Sequence, residues 1–189
     1  AIGTEGFMIA GVLPMLAQDL SVSLPAAGQL VTVFSLAYAA GSPLLAMATG
    51  RVERRTLFLG SLLLFALANF MCGMASHYGV LLSGRVLAAI GAAMFVPAAS
   101  TAAASLVAPE HRGKALAVVI GGQTVALAAG VPLGTWIAYA FHWRTTFWMV
   151  GILALLAATL VRWRFPVMDA SAPVRLRDRF APLRRPVIW

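Results

Sequence analysis

Six long apolar runs follow one another along this chain, each parted from the next by a short polar break. They occupy about residues 1–17, 26–48, 56–75, 80–107, 115–140 and 145–161. A helix crosses the hydrocarbon core of a bilayer with ~20 apolar residues, and lipid demands a helix because an unpaired backbone group there is costly. The runs therefore predict an all-α membrane protein with six transmembrane helices. Composition agrees. Of 189 residues 61% are apolar and only 11% charged, with a mean hydropathy of +0.88. A soluble domain carries about 25% charged residues, and one of this size could not hide so much apolar surface. The breaks at 18–25, 50–55, 76–79, 108–114 and 141–144 are short, so successive helices are expected to be antiparallel neighbours. The first run is not read as a signal peptide: no basic region precedes it, and Leu13-Pro14-Met15 is no small-residue cleavage site.

The net charge of +8 becomes informative once it is placed along the chain. Arg51, Arg54 and Arg55 fall between runs two and three, and Arg112 and Lys114 between four and five. Arg162, Arg164, Arg175, Arg177, Arg179, Arg184 and Arg185 follow run six. Twelve of the fourteen basic residues thus share one side, against Arg144 on the other. The positive-inside rule places that side in the cytoplasm, and a bacterial inner membrane is the expected location. The charge is read as topology, not as a nucleic-acid surface, although the Arg-rich tail suits anionic lipid. The single cysteine, Cys72, leaves no intrachain disulfide and no paired-cysteine metal site. His77, His111 and His142 lie in different loops and form no metal set, and no Ser–His or carboxylate pair lies on the helices. The expectation is a protein without enzymatic machinery, metal or cofactor.

An internal repeat points toward transport. Residues 36–44 read Leu-Ala-Tyr-Ala-Ala-Gly-Ser-Pro-Leu and residues 125–133 read Val-Ala-Leu-Ala-Ala-Gly-Val-Pro-Leu, six of nine identical at an offset of 89. The same offset aligns Arg55-Thr56 with Arg144-Thr145 and Phe58 with Phe147. Three spans separate the copies, so the second must run upside down. A three-plus-three inverted repeat marks several secondary-transporter folds. The plainer reading is two similar helix-packing interfaces. Within the copies, Gly41 with Pro43 and Gly130 with Pro132 are candidate bends, since proline removes a backbone donor and glycine permits close helix approach.

Two strongly ionisable residues fall inside the runs, Glu5 and Arg85. Such residues cost a few kcal/mol and usually face a cavity or a partner. Glu5 lies eleven residues before Leu16, which puts it ~17 Å below that end of the span, near the midplane. Arg85 sits ~9 Å from the same boundary, so the two are expected to share one cavity at different depths. A carboxylate at that depth is expensive to keep charged, and could load a proton from outside and release it inside. Arginine stays protonated and would tune the acid. The plainer alternatives are an interfacial glutamate and a snorkelling arginine. Gln123 is the polar residue expected to face a substrate path. Phe7, Tyr38 and Met94 are candidates for an apolar lining suited to a lipophilic or amphipathic compound, with Met8, Phe34 and Phe95 of the same type.

These stretches resemble the N-terminal half of a major facilitator superfamily transporter, in the drug:proton antiporter branch with arabinose-efflux-like and chloramphenicol-resistance-like exporters. Gly3-Thr4-Glu5-Gly6-Phe7 is similar to the first-helix pattern Gly-Thr-x-Glu-Phe, with the acid one position early. Gly50-Arg51-Val52-Glu53-Arg54-Arg55 resembles the loop signature Gly-x-x-x-Asp-Arg-x-Gly-Arg-Arg. Its three arginines match, while Ala46, Gly50 and Glu53 replace Gly, Asp and Gly; Glu53 is the expected substitute for the lost acid. Arg85 through Ala93 is similar to Arg-x-x-Gln-Gly-x-Gly-Ala-Ala, and Gly122 through Gly130, Pro132 and Gly134 to the span-five antiporter motif. Pro109 through Ala115 and Trp143 through Phe147 resemble the family's next two loops.

The resemblance implies residues 1–163 as a six-span bundle and 164–189 as a cytoplasmic linker leading to span seven, with a further six-span half to complete the machine. It implies proton-coupled efflux of a small drug-like compound by alternating access, with Glu5 and Arg85 in proton coupling. Its partners would be the small-molecule substrate, protons and the lipid bilayer. Export of a sugar or metabolite is the alternative within the superfamily, and a six-span channel or scaffold the alternative outside it.

Overall fold

The computed structural model describes residues 2–166. Six helices follow in order: α1 (Ile2–Asp19), α2 (Leu24–Ala48), α3 (Arg54–Gly73), α4 (Tyr78–Ser105), α5 (Arg112–Ala140) and α6 (Trp143–Arg164), with a short 3-10 turn at Pro109–His111. No strand occurs among the described residues. The helices from α2 to α6 are each long and apolar enough to cross a membrane, and the apolar stretch of α1, Met8–Asp19, is shorter. The six expected spans are thus five long apolar helices and a shorter first one. Beyond Pro166, the expected Arg-rich linker and its approach to a seventh span lie outside the described residues.

Capping explains where the helices begin. Ser23 accepts the Ala26 N–H at 3.3 Å before α2, and the Glu53 carboxylate accepts the N–H groups of Arg55 and Thr56 at 2.8 and 2.7 Å before α3. The His142 ring accepts the Arg144 N–H at 3.2 Å before α6. These groups satisfy backbone donors that the first helical turn leaves unpaired. Helices therefore start on polar residues, two residues ahead of the apolar runs at α2, α3 and α4. At the other end, α6 runs on through Arg162 and Arg164, where positive charge suits a helix C-terminus.

Helix-to-helix contacts show the alternation of the bundle. The Tyr78 hydroxyl donates to the Ala26 carbonyl at 2.7 Å, joining the starts of α4 and α2. Arg144 at the start of α6 donates to the Ala75 carbonyl just past the end of α3 at 2.9 Å, and also reaches Asp19 at the end of α1. At the far end, Arg55 on α3 donates to the Arg162 carbonyl on α6. Helices α3 and α6 are therefore antiparallel and tied at both ends.

Small residues let the helices close on one another, as expected where lipid supplies no hydrophobic drive between them. A side chain on Gly84 would strike Cys72 Sγ, and one on Gly91 the Ser61 carbonyl, so α3 and α4 pack backbone to backbone. Gly11 lies against Thr135, and Gly134 against Met8, where α1 crosses α5. The core consists of residues such as Phe65, Ala92, Val150, Leu81 and Phe147. By contrast α5 buries only Gly134 and Ala138, and presents Val118, Val125, Leu133 and Trp136 outward.

Candidate functional site

The two ionisable residues inside the runs form an ion pair: Arg85 Nη1 of α4 donates to Glu5 Oε1 of α1, with both side chains fully buried. This removes the interfacial and snorkelling alternatives, and it replaces a shared cavity at two depths by direct contact. The arginine stem is long enough to bridge the offset in helix position. Two further groups hold the guanidinium, both from α2. The Leu30 carbonyl accepts from Arg85 Nε at 3.4 Å, and the Phe34 ring lies under the guanidinium carbon at 4.2 Å. Leu30 and Phe34 are four residues apart, one helical turn, and so share a face. Among the described residues Glu5 Oε2 and Arg85 Nη2 have no hydrogen-bond partner. A buried pair gains from Coulomb attraction only if its remaining polar atoms are also satisfied. This one is not, which makes it a poor structural fastener.

Beside the pair lies a cavity of about 490 Å³. Helix α2 contributes Val31, Phe34, Ser35 and Tyr38, and α5 contributes Ile120, Gln123, Thr124 and Leu127. Ile2 and Gly3 of α1 and Val96 of α4 complete the wall. Among the described residues lining it none is charged. The Phe34 and Tyr38 rings are nearly parallel, 9° apart in plane and 6.4 Å between centroids, and form one aromatic surface. Hydroxyl and amide groups come from Ser35, Tyr38, Gln123 and Thr124. Gln123 also borders a second cavity of about 270 Å³ toward Phe95, Leu62 and Ala157.

The expected lining residues separate. Tyr38 and Gln123 border the larger cavity. Met94 does not: it packs with Phe58, Leu57 and Ala98 at the α3–α4 interface. The Phe7 side chain lies outside the described residues. Gly41 sits 3.6 Å, by its notional side-chain carbon, from Ala93 on α4, and α2 and α5 run unbroken through the exposed Pro43 and Pro132. Gly130 is half-buried on α5, while Gly134 belongs to the α1–α5 crossing. Arg51 is exposed, Arg54 is buried at the start of α3, and Arg55 ties α3 to α6. Glu53, the expected replacement for the missing motif acid, caps α3.

One cluster was not anticipated. Asp19 accepts from Arg144 at 2.6 Å and from the Trp143 indole at 3.0 Å, with His142 3.9 Å away. The Arg144 guanidinium stacks on Trp143 at 4.3 Å. Partial burial pushes the Asp19 carboxyl up, but the hydrogen bonds from Arg144 and Trp143 and the positive charge of Arg144 outweigh it and hold the group below its ordinary 3.8. The signal was present: Asp19 is the one acid of the break at 18–25, and Arg144 is the lone basic residue of the loops on that side.

The comparisons agree with this architecture. The family model described as Major Facilitator Superfamily matches residues 1–189. The chain is 40% identical over 194 residues to a chloramphenicol resistance protein of Streptomyces lividans, covering 98% of this chain and 48% of that protein. It is 35% identical to an uncharacterized MFS-type transporter, YbcL, of Bacillus subtilis, covering 97% and 47%. It is 30% identical to the putative transporter AraJ of Escherichia coli, covering 100% and 49%. The chain spans about half the length of the curated relatives it matches.

Proposed function

This chain belongs to the major facilitator superfamily, and on that premise we propose that it forms the N-terminal bundle of a proton-coupled exporter of small aromatic or amphipathic compounds. The observation that carries the reading is the buried Glu5–Arg85 pair set against the aromatic cavity between α1, α2, α4 and α5. An acid buried beside a ligand-sized space, with one oxygen unpaired among the described residues, can exchange a proton with solvent as the bundle changes access. The arginine keeps its proton throughout and lowers the cost of the charged acid.

The three-plus-three inverted repeat belongs to the same proposal. In support, Glu53 and His142, 89 residues apart, both cap the helix that follows. Arg55 and Arg144, also 89 apart, each donate to a carbonyl at the end of the other's helix. Helix α1 crosses α5 as α2 crosses α4, which a relation of α1–α3 to α4–α6 requires. The repeat would rock against a second bundle around a midplane site. The basic ends, with Arg55, Arg112 and Arg162, would face the cytoplasm. That the relative of Streptomyces lividans is named for chloramphenicol resistance supports a drug-like substrate.

The test uses the whole transporter in everted membrane vesicles holding a pH gradient. Addition of chloramphenicol is expected to dissipate the gradient with wild type and to leave it intact with Glu5→Gln, at equal amounts of membrane-inserted protein. Undiminished proton-driven efflux by Glu5→Gln overturns the assignment. A wild type that leaves the gradient intact overturns the exporter in favour of a scaffold.

A further inference from the structure

We propose that Phe34 couples the cavity to the ion pair, so that an uncharged aromatic ligand resting on Phe34 and protonation of Glu5 oppose one another. The inference rests on the proton-coupled export reading and names the residue and the ligand class through which it operates.

Phe34 has two sides with different neighbours. One face of its ring carries the Arg85 guanidinium at 4.2 Å, and the same residue borders the cavity, nearly parallel to Tyr38. It is 8% exposed, so it forms wall and not rim. Arg85 therefore has one anchor on α1, the Glu5 carboxylate, and two on α2, the Leu30 carbonyl and the Phe34 ring. The attraction of a desolvated cation to a ring face is comparable to other single contacts, so the balance among these anchors is easily tipped.

The proton decides that balance. With Glu5 charged, the guanidinium is held between α1 and the Phe34 ring, and the ring stays in the cavity wall, where a ligand can meet it. When Glu5 takes a proton from water its charge is lost, and Arg85, which keeps its own proton, is left to its α2 anchors. Freed from α1, it follows the Phe34 ring more closely and draws it out of the cavity wall. A ligand that holds the ring in place favours the charged acid and returns the proton to water. No other charged group intrudes. Among the described residues the buried charged side chains are Glu5, Arg54 and Arg85, and Arg54 lies at the start of α3. The elements around the pair offer uncharged groups: Tyr38 on α2, Cys72 on α3, and Gln123 and Thr124 on α5.

The ligand class follows from the wall. Two near-parallel rings with hydroxyl and amide groups around them favour a flat aromatic compound that hydrogen-bonds. Among the described residues the lining offers no carboxylate for a permanent cation.

The experiment measures binding of chloramphenicol, an uncharged aromatic compound, to the purified whole transporter across pH, together with protons released on binding. Wild type, Phe34→Leu and Phe34→Tyr are compared at equal thermal stability. Wild-type affinity is expected to rise about three- to tenfold from acid to alkaline pH, the span that one cation–ring contact supplies. With Phe34→Leu the profile flattens to under ~2-fold and proton release is lost, while Phe34→Tyr, which keeps the ring, retains both. A residue that only shapes the wall would weaken binding equally at every pH, and that result overturns the proposal. So does loss of the pH dependence in both variants. If wild type binds chloramphenicol without releasing protons, or fails to bind it, the export reading falls and the coupling falls with it. If wild type and Phe34→Leu release protons alike, only the role of Phe34 is overturned.

Discussion

Two arginines reach helix α1, and they hold it in different ways. Arg85 meets Glu5 in the buried part of the bundle, where each partner keeps a polar atom unpaired among the described residues. Arg144 meets Asp19 at the rim, where the same arginine also binds the Ala75 carbonyl and stacks on Trp143, and Asp19 takes a second hydrogen bond from the indole. The rim cluster is multiply bonded and partly exposed. It serves as a clamp joining the ends of α1 and α3 to the start of α6. The buried pair is under-satisfied, in surroundings that make charge costly, and its arginine has alternative anchors on α2. Under the proposed export reading, an ion pair able to change partners is the one that would carry protons. Between the two, among the described residues, α1 packs through Gly11 on Thr135 and Met8 on Gly134.

The contrast can be broken by removing one partner at a time. The largest effect is expected from Glu5→Gln, because it strands a guanidinium that cannot neutralise itself. It should cost about 3–5 kcal/mol in detergent melts. Arg85→Met leaves a carboxyl that can take a proton, so it should cost only about 1–3 kcal/mol. The double variant should be more stable than Glu5→Gln alone, since it removes the stranded charge. If the two single variants melt alike, the buried pair is an ordinary fastener and the contrast fails.

The middle of α1 sharpens the comparison. Gly134→Val places a branched side chain against the Met8 thioether. It should cost about 1–3 kcal/mol without altering the pH dependence of binding. Changed pH dependence would mean that packing of α1, and not its charges, sets the coupling.

The smallest effect belongs to the rim. Asp19→Asn should lower stability by well under ~1 kcal/mol, because solvent screens a pair this exposed. Its signature is in pH. The folded Asp19 carboxyl lies below its ordinary 3.8, so its contribution is present above that value and fades as pH falls through the folded one. Wild-type melting temperature should therefore drop more steeply below about pH 4 than that of Asp19→Asn, followed by tryptophan fluorescence. Parallel curves would remove Asp19 from the clamp.

Much of the bundle was legible in advance. The helices fall where the apolar runs do, and they start earlier because capping groups such as Glu53 and Ser23 begin a helix before its apolar stretch. Glu5 and Arg85 were conspicuous because ionisable groups in an apolar run are costly and seldom idle. Which apolar side chain faces the cavity was not legible. Met94 and Phe34 lie in equally apolar surroundings along the chain, yet one packs into the α3–α4 core and the other walls the cavity. Glu53 stands where the motif has a glycine, and the structure shows its carboxylate capping α3, a role set by its backbone position just before that helix.

The sequence by itself determined the number of helices, their approximate extents, the sorting of basic residues and the two charges worth attention. Length, charge and backbone capping are local properties, and lipid enforces them strictly. Only the tertiary structure decided that Glu5 and Arg85 touch, that Arg85 leans on Phe34, and that Asp19 clamps Arg144. In a soluble helix a polar face reveals which side is buried. In a membrane helix both faces are apolar, so partners are chosen by close packing between residues distant in the chain.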